Sequence, residues 1–328
     1  MKPPAVTVLM TVYNAGRFLD AAIRSIVTQT FRDWEFIIVD DASTDGSAEV
    51  IASWVERDPR IRFFPNPVNK GQTPCLNQGL REARGAWIAR QDADDLSLPD
   101  RLSRQMAASG KLALLGTNGW MIDADDRTVG LLDAPLSQES ITWTSPFLNP
   151  FMHTAVVVRT DVIRDEMGGY DESFRIAQDY DLWTRLVARH PSANLPDRLV
   201  CYRHLPTSLS KSGSSTAFAE ARRVSRREAE RIFGRTLTEP EEDLLAAFRE
   251  GLSAENRMAF WRLYDELQKS GPTSPDLRRT TALHHLKAAG AVGAWPAMLA
   301  EIGSAGLASP GDTSRWLVDR LAAGARRG

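Results

Sequence analysis

Cysteine is nearly absent. Only Cys75 and Cys201 occur in 328 residues, each in an apolar context, with no CxxC pair and no Cys/His cluster. That excludes a disulfide scaffold and a thiolate metal site, and it fits two reduced core residues in a reducing compartment. Long apolar runs are missing as well. Met1-Lys2-Pro3-Pro4 leads straight into Val6-Thr7-Val8-Leu9-Met10, too short a run for a secretory leader, and no later run approaches the ~20 residues that span a bilayer. The expectation is therefore a cytoplasmic protein, with any membrane contact confined to its periphery. Charge of one sign is lacking too: 40 Lys and Arg stand against 42 Asp and Glu, a formal net charge of -2. Such balance argues against nucleic acid as a partner of the whole surface. No internal repeat stands out.

What remains is ordinary for a soluble globular chain, with 43% hydrophobic and 25% charged residues. The length suits one large α/β domain with a smaller appendage, or two ordinary domains. The first part alternates strand-like and helix-like segments. Hydrophobic spacing predicts strands over 5–10, 34–40 and 61–64, helices over 18–28, 47–57 and 73–83, and a further strand over 86–89. This order implies a mainly parallel sheet with helices on both faces, and ligands of such sheets sit at the carboxyl ends of strands. Beyond Gly110 the pattern is irregular, with strands near 112–115 and 155–159 and an amphipathic helix over 179–189. A change of composition near Leu209 divides a domain 1–209 from an α-helical region 210–328. A linker runs over 211–215, followed by helical segments near 218–233, 241–250, 255–269, 277–289 and 313–323.

Three polar loops follow apolar strand cores and open onto one crevice: Thr11-Val12-Tyr13-Asn14, Asp40-Asp41-Ala42-Ser43-Thr44-Asp45-Gly46, and Arg90-Gln91-Asp92-Ala93-Asp94-Asp95. The last run is either an Asp-rich turn before the helix that begins near Pro99 or a cation site. Carboxylates two residues apart at a strand end can share a hard divalent ion and leave positions open for nucleotide phosphates.

These loops, with Gln29-Thr30-Phe31, Asn69-Lys70-Gly71, Pro99-Asp100-Arg101-Leu102 and Gln178-Asp179-Tyr180-Asp181-Leu182-Trp183, resemble the inverting glycosyltransferases of family 2 in motif order. The resemblance covers roughly Val6 to His204. It implies the Rossmann-like GT-A fold, an α/β nucleotide-diphospho-sugar transferase domain here followed by helices. It further implies that Thr11 and Tyr13 contact the nucleotide base, with Tyr13 stacking on it, and that Asp41 binds base or ribose. Asp92 and Asp94 match the DXD motif, Asp94 touching Mn²⁺ or Mg²⁺ and Asp92 reaching ribose or a metal-bound water. Asp179 matches the catalytic base, although the usual Glu-Asp pair is here Gln178-Asp179. An inverting transfer needs such a carboxylate opposite the leaving group to take the acceptor hydroxyl's proton.

Each residue has a plainer alternative. Tyr13 could cover the sheet end, Asp179 could favour the positive end of its helix, and Arg101 either compensates the acidic run or lies on a helix surface. Asp40 is expected to orient its loop, and Asp45 and Gly46 to form a turn. Asp181 reads as a structural or solvated acid. His204 matches a further metal ligand in some relatives or is a surface histidine, and His153 resembles a position on the acceptor or diphosphate side. The QxxRW signature of processive members is absent, so transfer of a single sugar is expected. The resemblance points to a UDP-sugar donor and to an acceptor in cell-surface polysaccharide or lipid-linked glycan synthesis.

Two rival functions remain open. A sugar nucleotidyltransferase needs a Gly-rich N-terminal loop with a basic residue, which Tyr13-Asn14-Ala15-Gly16 lacks. A non-catalytic nucleotide-sugar or glycan-binding protein could keep every binding residue, and Asp179 discriminates it. In the tail, Arg222, Arg223, Arg226, Arg227, Arg231 and Arg235 interleave with Glu220, Glu228 and Glu230. They form either intrahelical pairs or a surface for anionic lipid, and homo-oligomerisation through these helices is a third option.

Overall fold

Apolar runs without polar alternation become fully covered strands. β1 (Val6–Val12) and β2 (Trp34–Asp40) are buried along nearly their whole length, as strands packed on both faces must be. The computed structural model describes residues 2–205, 215–250 and Leu263. Chain contacts divide it into two units, one of 1–134 with 151–217 and another of 135–150 with residues from 218 onward.

In the first unit β3 (Ile61–Pro65), β2, β1 and β4 (Trp87–Arg90) lie side by side in that order, all parallel. They are linked by α1 (Leu19–Val27), α2 (Ser47–Arg57) and α3 (Gln72–Glu82). Helix α1 buries Leu19, Ala22, Ile23 and Ile26, the i, i+3, i+4, i+7 stripe of an amphipathic helix. Each such buried aliphatic side chain stabilises the packing by about 1.5–3 kcal/mol. Register pairs Val12 with Asp40 and Leu9 with Arg90, so the loops after β1, β2 and β4 leave one edge of the sheet.

Beyond β4 the sheet is mixed rather than mainly parallel. β5 (Leu96–Ser97), β6 (Leu114–Ile122), β7 (Thr128–Leu132), β8 (Val157–Arg159) and β9 (Ser192–Arg203) complete it in the order β4-β8-β6-β9-β5, with β7 on β6. Only β6 and β9 pair in parallel there; β4–β8, β6–β8, β6–β7 and β5–β9 are antiparallel. Antiparallel neighbours need no crossover helix, so the alternation that marks the first four strands disappears. α4 (Arg101–Ala108) follows β5, and α6 (Gln178–Val187) precedes β9.

In the second unit α5 (Gln138–Thr144), α7 (Ser215–Phe233) and α8 (Glu239–Glu250) supply the core Trp143, Phe147, Ala229, Leu237, Leu245, Phe248 with Leu263. A capping box closes the start of α5, Ser137 and Ser140 exchanging side-chain bonds with each other's backbone N–H. The basic face of α7 is spent on acids: Arg222 meets Asp243 at 2.7 Å, Arg226 meets Glu230 and Glu242 at 3.2 Å each, and Arg231 meets Glu228 at 2.8 Å. Arg226–Glu230 and Arg231–Glu228 are pairs within α7, as the intrahelical alternative expects, while Arg222 and Arg226 also reach α8. Apart from Ser215 and Leu263, the expected linker 211–215 and the expected helices 255–269, 277–289 and 313–323 lie outside the described residues. Among the described residues no helix is long and apolar enough to cross a membrane.

Candidate active site

The nucleoside side is built from the loops after β1 and β2. Tyr13 is 57% exposed, the most prominent aromatic at the strand ends, while Thr11 is half-buried. The two loops are stitched together: Asn14 N–H donates to Ser43 Oγ at 2.9 Å, Thr44 N–H to Asn14 Oδ1 at 2.8 Å, and Gly16 N–H to Asp45 Oδ2 at 2.8 Å. Asp40 accepts from both the N–H and hydroxyl of Ser43, so it orients its own loop as expected. Between them Ala42 takes φ +62°, a left-handed conformation that costs an L-residue about 1–2 kcal/mol.

Asp41 is buried, and its oxygens accept Lys70 N–H and Gly71 N–H at 2.8 Å each and Asn66 Nδ2 at 3.2 Å. Its carboxylate thus braces the 66–71 loop against the end of β2 before it meets any nucleoside.

The acidic run sits where β4 ends, beside three buried arginines. Arg90, wholly buried, donates to Asp92 and, through Nη1, to the carbonyls of Leu9 and Gln91 at 2.5 and 2.9 Å. Arg101 is also wholly buried and donates to the Arg90 carbonyl at 2.7 Å and Ser97 Oγ at 2.8 Å, which rules out the helix-surface alternative. Burial, then the neighbouring Arg90 charge, pulls its guanidinium down to about 9. Arg203, at the end of β9, gives its backbone N–H to Asp95 Oδ1 at 2.6 Å, its Nε to the Asp94 carbonyl at 2.8 Å, and an ion pair to Asp126 at 2.6 Å, and it stacks on Phe18.

The acids themselves are under tension. Burial first, then the charge of Asp92, pushes the half-buried Asp94 carboxyl up to about 6. Burial and the charges of Asp94 and Asp92 push Asp95 well above the usual carboxylate range, and its Oδ2 is buried with no hydrogen-bond partner. A divalent cation fits this donor set, because it relieves the repulsion and takes hard oxygen ligands. Among the described residues no three His, Cys, Asp or Glu side chains are gathered as a metal cage. Two carboxylates suffice for an ion that completes its shell with phosphate oxygens and water. His204 follows Arg203 directly, half-buried, with its backbone N–H on the Ile122 carbonyl at 2.8 Å.

Asp179 occupies the first turn of α6, half-buried, and its Oδ1 accepts the N–H of Tyr180 at 2.7 Å. Asp181 is buried and paired with Arg185 at 2.8 Å, a structural acid.

A chain of contacts runs from the acidic run toward α6, through Arg90, His153, Tyr170 and Trp183. Arg90 Nε donates to His153 Nε2 at 3.0 Å, and Tyr170 Oη lies 2.9 Å from the same nitrogen. Because Nε2 accepts, the network requires the tautomer protonated on Nδ1. Burial, then Arg90, holds the imidazole well below its usual value, so it is neutral. Tyr170 is pushed well above the ordinary phenol by burial, and it feels the charges of both Asp179 and Asp92. Trp183 of α6 completes the aromatic cluster, its ring 5.9 Å from His153 and 6.0 Å from Tyr170.

Tyr170 therefore feels both Asp92 and Asp179, although 87 positions separate the two acids (179 − 92 = 87). No site role is expected of Arg90, Arg203, Tyr170 or Trp183 from the sequence alone. An arginine at the end of an apolar strand, directly before three acids, is a signal that could have found Arg90; nothing local marks Tyr170.

Comparison with known proteins bears on family and fold. The family model described as glycosyl transferase family 2 matches residues 7–128. The O-antigen biosynthesis glycosyltransferase WbnJ of Escherichia coli is 31% identical over 230 residues, 68% of this chain and 88% of that protein. Against other curated relatives the chain spans just under two thirds of their length, 65% and 66% in two cases. Among solved structures, S. aureus TarS in complex with UDP-GlcNAc superposes with a TM-score of 0.58 at 17% identity, covering 87% of both chains. The mannosyltransferase PcManGT from Pyrobaculum calidifontis, in complex with GDP-Man and Mn²⁺, gives 0.51 at 20% identity over 99% of this chain and 87% of that one. At these identities the two structures speak for the fold.

Proposed function

Because this chain belongs to glycosyl transferase family 2, we propose that it moves one sugar from a nucleoside diphosphate donor to a hydroxyl acceptor, by a single displacement that inverts the anomeric centre. The observation that carries the reading is the bridge Asp92–Arg90–His153–Tyr170, whose last member feels the charge of Asp179. It supports a reading in which a diphosphate-side acid and a carboxylate base serve one in-line displacement.

Each residue has a task in this reading. Tyr13 offers its exposed ring to the base, Thr11 lines the strand end below it, and Asp41 holds the 66–71 loop and presents its remaining lone pairs to base or ribose. Asp94 and Asp92 hold Mn²⁺ or Mg²⁺, Asp92 with one oxygen already engaged by Arg90 and turned to ribose or an ion-bound water. His204 stands next in the chain to Arg203 and is the candidate for a further ligand. The ion supplies charge stabilisation to the leaving diphosphate. Asp179 takes the acceptor hydroxyl's proton as the new bond forms, and Arg90, Arg101 and Arg203 keep the acidic loop from opening.

UDP is the nucleotide the family resemblance favours; relatives of this fold hold UDP-GlcNAc or GDP-Man. The name of the E. coli relative, O-antigen biosynthesis, supports an acceptor in a cell-surface polysaccharide or a lipid-linked glycan. A cytoplasmic protein, peripheral at the membrane, suits such an acceptor.

A thermal-shift screen of UDP, UDP-sugars and GDP-sugars with and without Mn²⁺ tests this reading. A nucleotide held at about 100 times its Kd should raise Tm on the order of 5 °C, with UDP and Mn²⁺ together giving the larger shift. No shift with any nucleotide in the presence of metal contradicts it.

A further inference from the structure

Helix α3 carries a polar face that none of these roles uses. Its N-terminus is fixed to the nucleoside side, because the Asp41 carboxylate takes the N–H groups of Lys70 and Gly71, and Gly71 directly precedes the helix. Its side chains reach the opposite partner, the segment that runs into α6. Gln72 Oε1 accepts from Gln178 Nε2 at 2.9 Å. Thr73 Oγ1, buried, donates to the Phe174 carbonyl at 2.8 Å. Asn77 accepts the Tyr170 N–H and donates to the Tyr170 carbonyl, both at 2.9 Å.

Residues 167–177 form neither helix nor strand, so their backbone polar groups depend on partners of this kind. Thr73 and Asn77 stand one turn apart and share a helix face. The helix packs closely on the sheet. Gly79 lies against β1, where an added Cβ would come within 2.1 Å of Leu9 Cδ1.

We infer that α3 is a strut that sets the place of Asp179 relative to the nucleoside loop, with Gln72, Thr73 and Asn77 as its positioning residues. The inference rests on the reading of Asp179 as the base. A proton acceptor must stand within hydrogen-bond reach of the attacking hydroxyl, and an error of about 1 Å costs on the order of 100-fold in rate. The segment 170–178 would supply that error if its carbonyls lost their partners on α3.

Thr73→Val keeps the shape and removes the donor, Thr73→Ser keeps the donor, and Asn77→Ala cuts the second tie. Two readouts are needed: amide hydrogen exchange, and UDP release from UDP-glucose, UDP-galactose or UDP-N-acetylglucosamine with Mn²⁺, whichever the wild-type chain turns over. Thr73→Val and Asn77→Ala should each speed exchange over 170–178 but not over 66–71. They should lower kcat about 10- to 100-fold while leaving donor KM and the Kd for UDP unchanged, and Thr73→Ser should restore both readouts. Exchange equal to wild type overturns the strut, as does faster exchange with unaltered kcat, or a loss of UDP affinity in step with kcat. If the wild-type chain binds UDP yet turns over none of the three donors, the donor sugar is not among them and kcat is not read. Exchange then still decides the strut: an increase confined to 170–178 supports it and no increase overturns it.

Discussion

Asp94 is the residue in which fold and chemistry pull hardest against each other. Its carboxyl is pushed up to about 6 by burial and by the charge of Asp92, so at neutral pH the folded chain carries a disfavoured negative charge there that a cation would relieve. The sign follows from linkage. The folded state keeps this proton where the unfolded chain has lost it, so the associated stability is present below the ordinary value near 3.8 and is lost as pH rises through about 6. The neutral His153 works in the opposite direction on acidification, which makes a difference measurement the clean one. Without metal or nucleotide, Asp94→Asn should match the wild-type Tm near pH 4 and exceed it increasingly up to pH 7. A difference that does not vary with pH, or a less stable variant at pH 7, contradicts this account. The pair Asp92 and Asp94 was legible in the sequence because acids directly behind an apolar strand are uncommon without a purpose. Arg203, which holds the Asp94 carbonyl and Asp95 Oδ1 from the far end of β9, was not, because nothing in its neighbourhood says which loop it will meet.

At the scale of elements, the first four strands and the three helices between them fall within a few residues of where periodicity puts them. Trp34–Asp40 and Ser47–Arg57 match to the residue. β9 is the instructive miss. No element is expected over Ser192-Ala193-Asn194-Leu195-Pro196-Asp197, yet the strand it belongs to pairs with β6 across two register shifts. The irregular stretch survives because Thr117 Oγ1 and Asn118 Nδ2 donate to the Asp197 and Pro196 carbonyls at 2.6 and 3.1 Å, replacing ladder bonds with side chains.

The approach of β4 to β1 has its own checkpoint at Gly85. Its N–H donates to Thr7 Oγ1 at 2.9 Å, and an added Cβ would sit 2.4 Å from Thr7 N and 2.6 Å from Val6 C. Backbone cannot step aside as a side chain does. Gly85→Ala should therefore cost about 1–3 kcal/mol or more in urea unfolding and loosen the strand that ends at the acidic run; an unchanged midpoint would show that the two strands part more easily than their register implies.

For the molecule as a whole, the sequence carried the family and the strand-end location of the site, because both depend on short local motifs in fixed order. The mixed half of the sheet and the inward turn of Arg90, His153 and Tyr170 depend on contacts between distant segments, and such contacts leave no local trace. The chain's charge is near neutral, and Arg222, Arg226 and Arg231 of α7 are paired with acids. The account stands on Asp179 as the base across from a donor held at Asp92 and Asp94. Its most direct test is the rate of UDP release by Asp179→Asn beside the Kd for UDP in the presence of Mn²⁺. The account predicts a rate lower by about 10²- to 10⁴-fold with an unchanged Kd; turnover at the wild-type rate would contradict it.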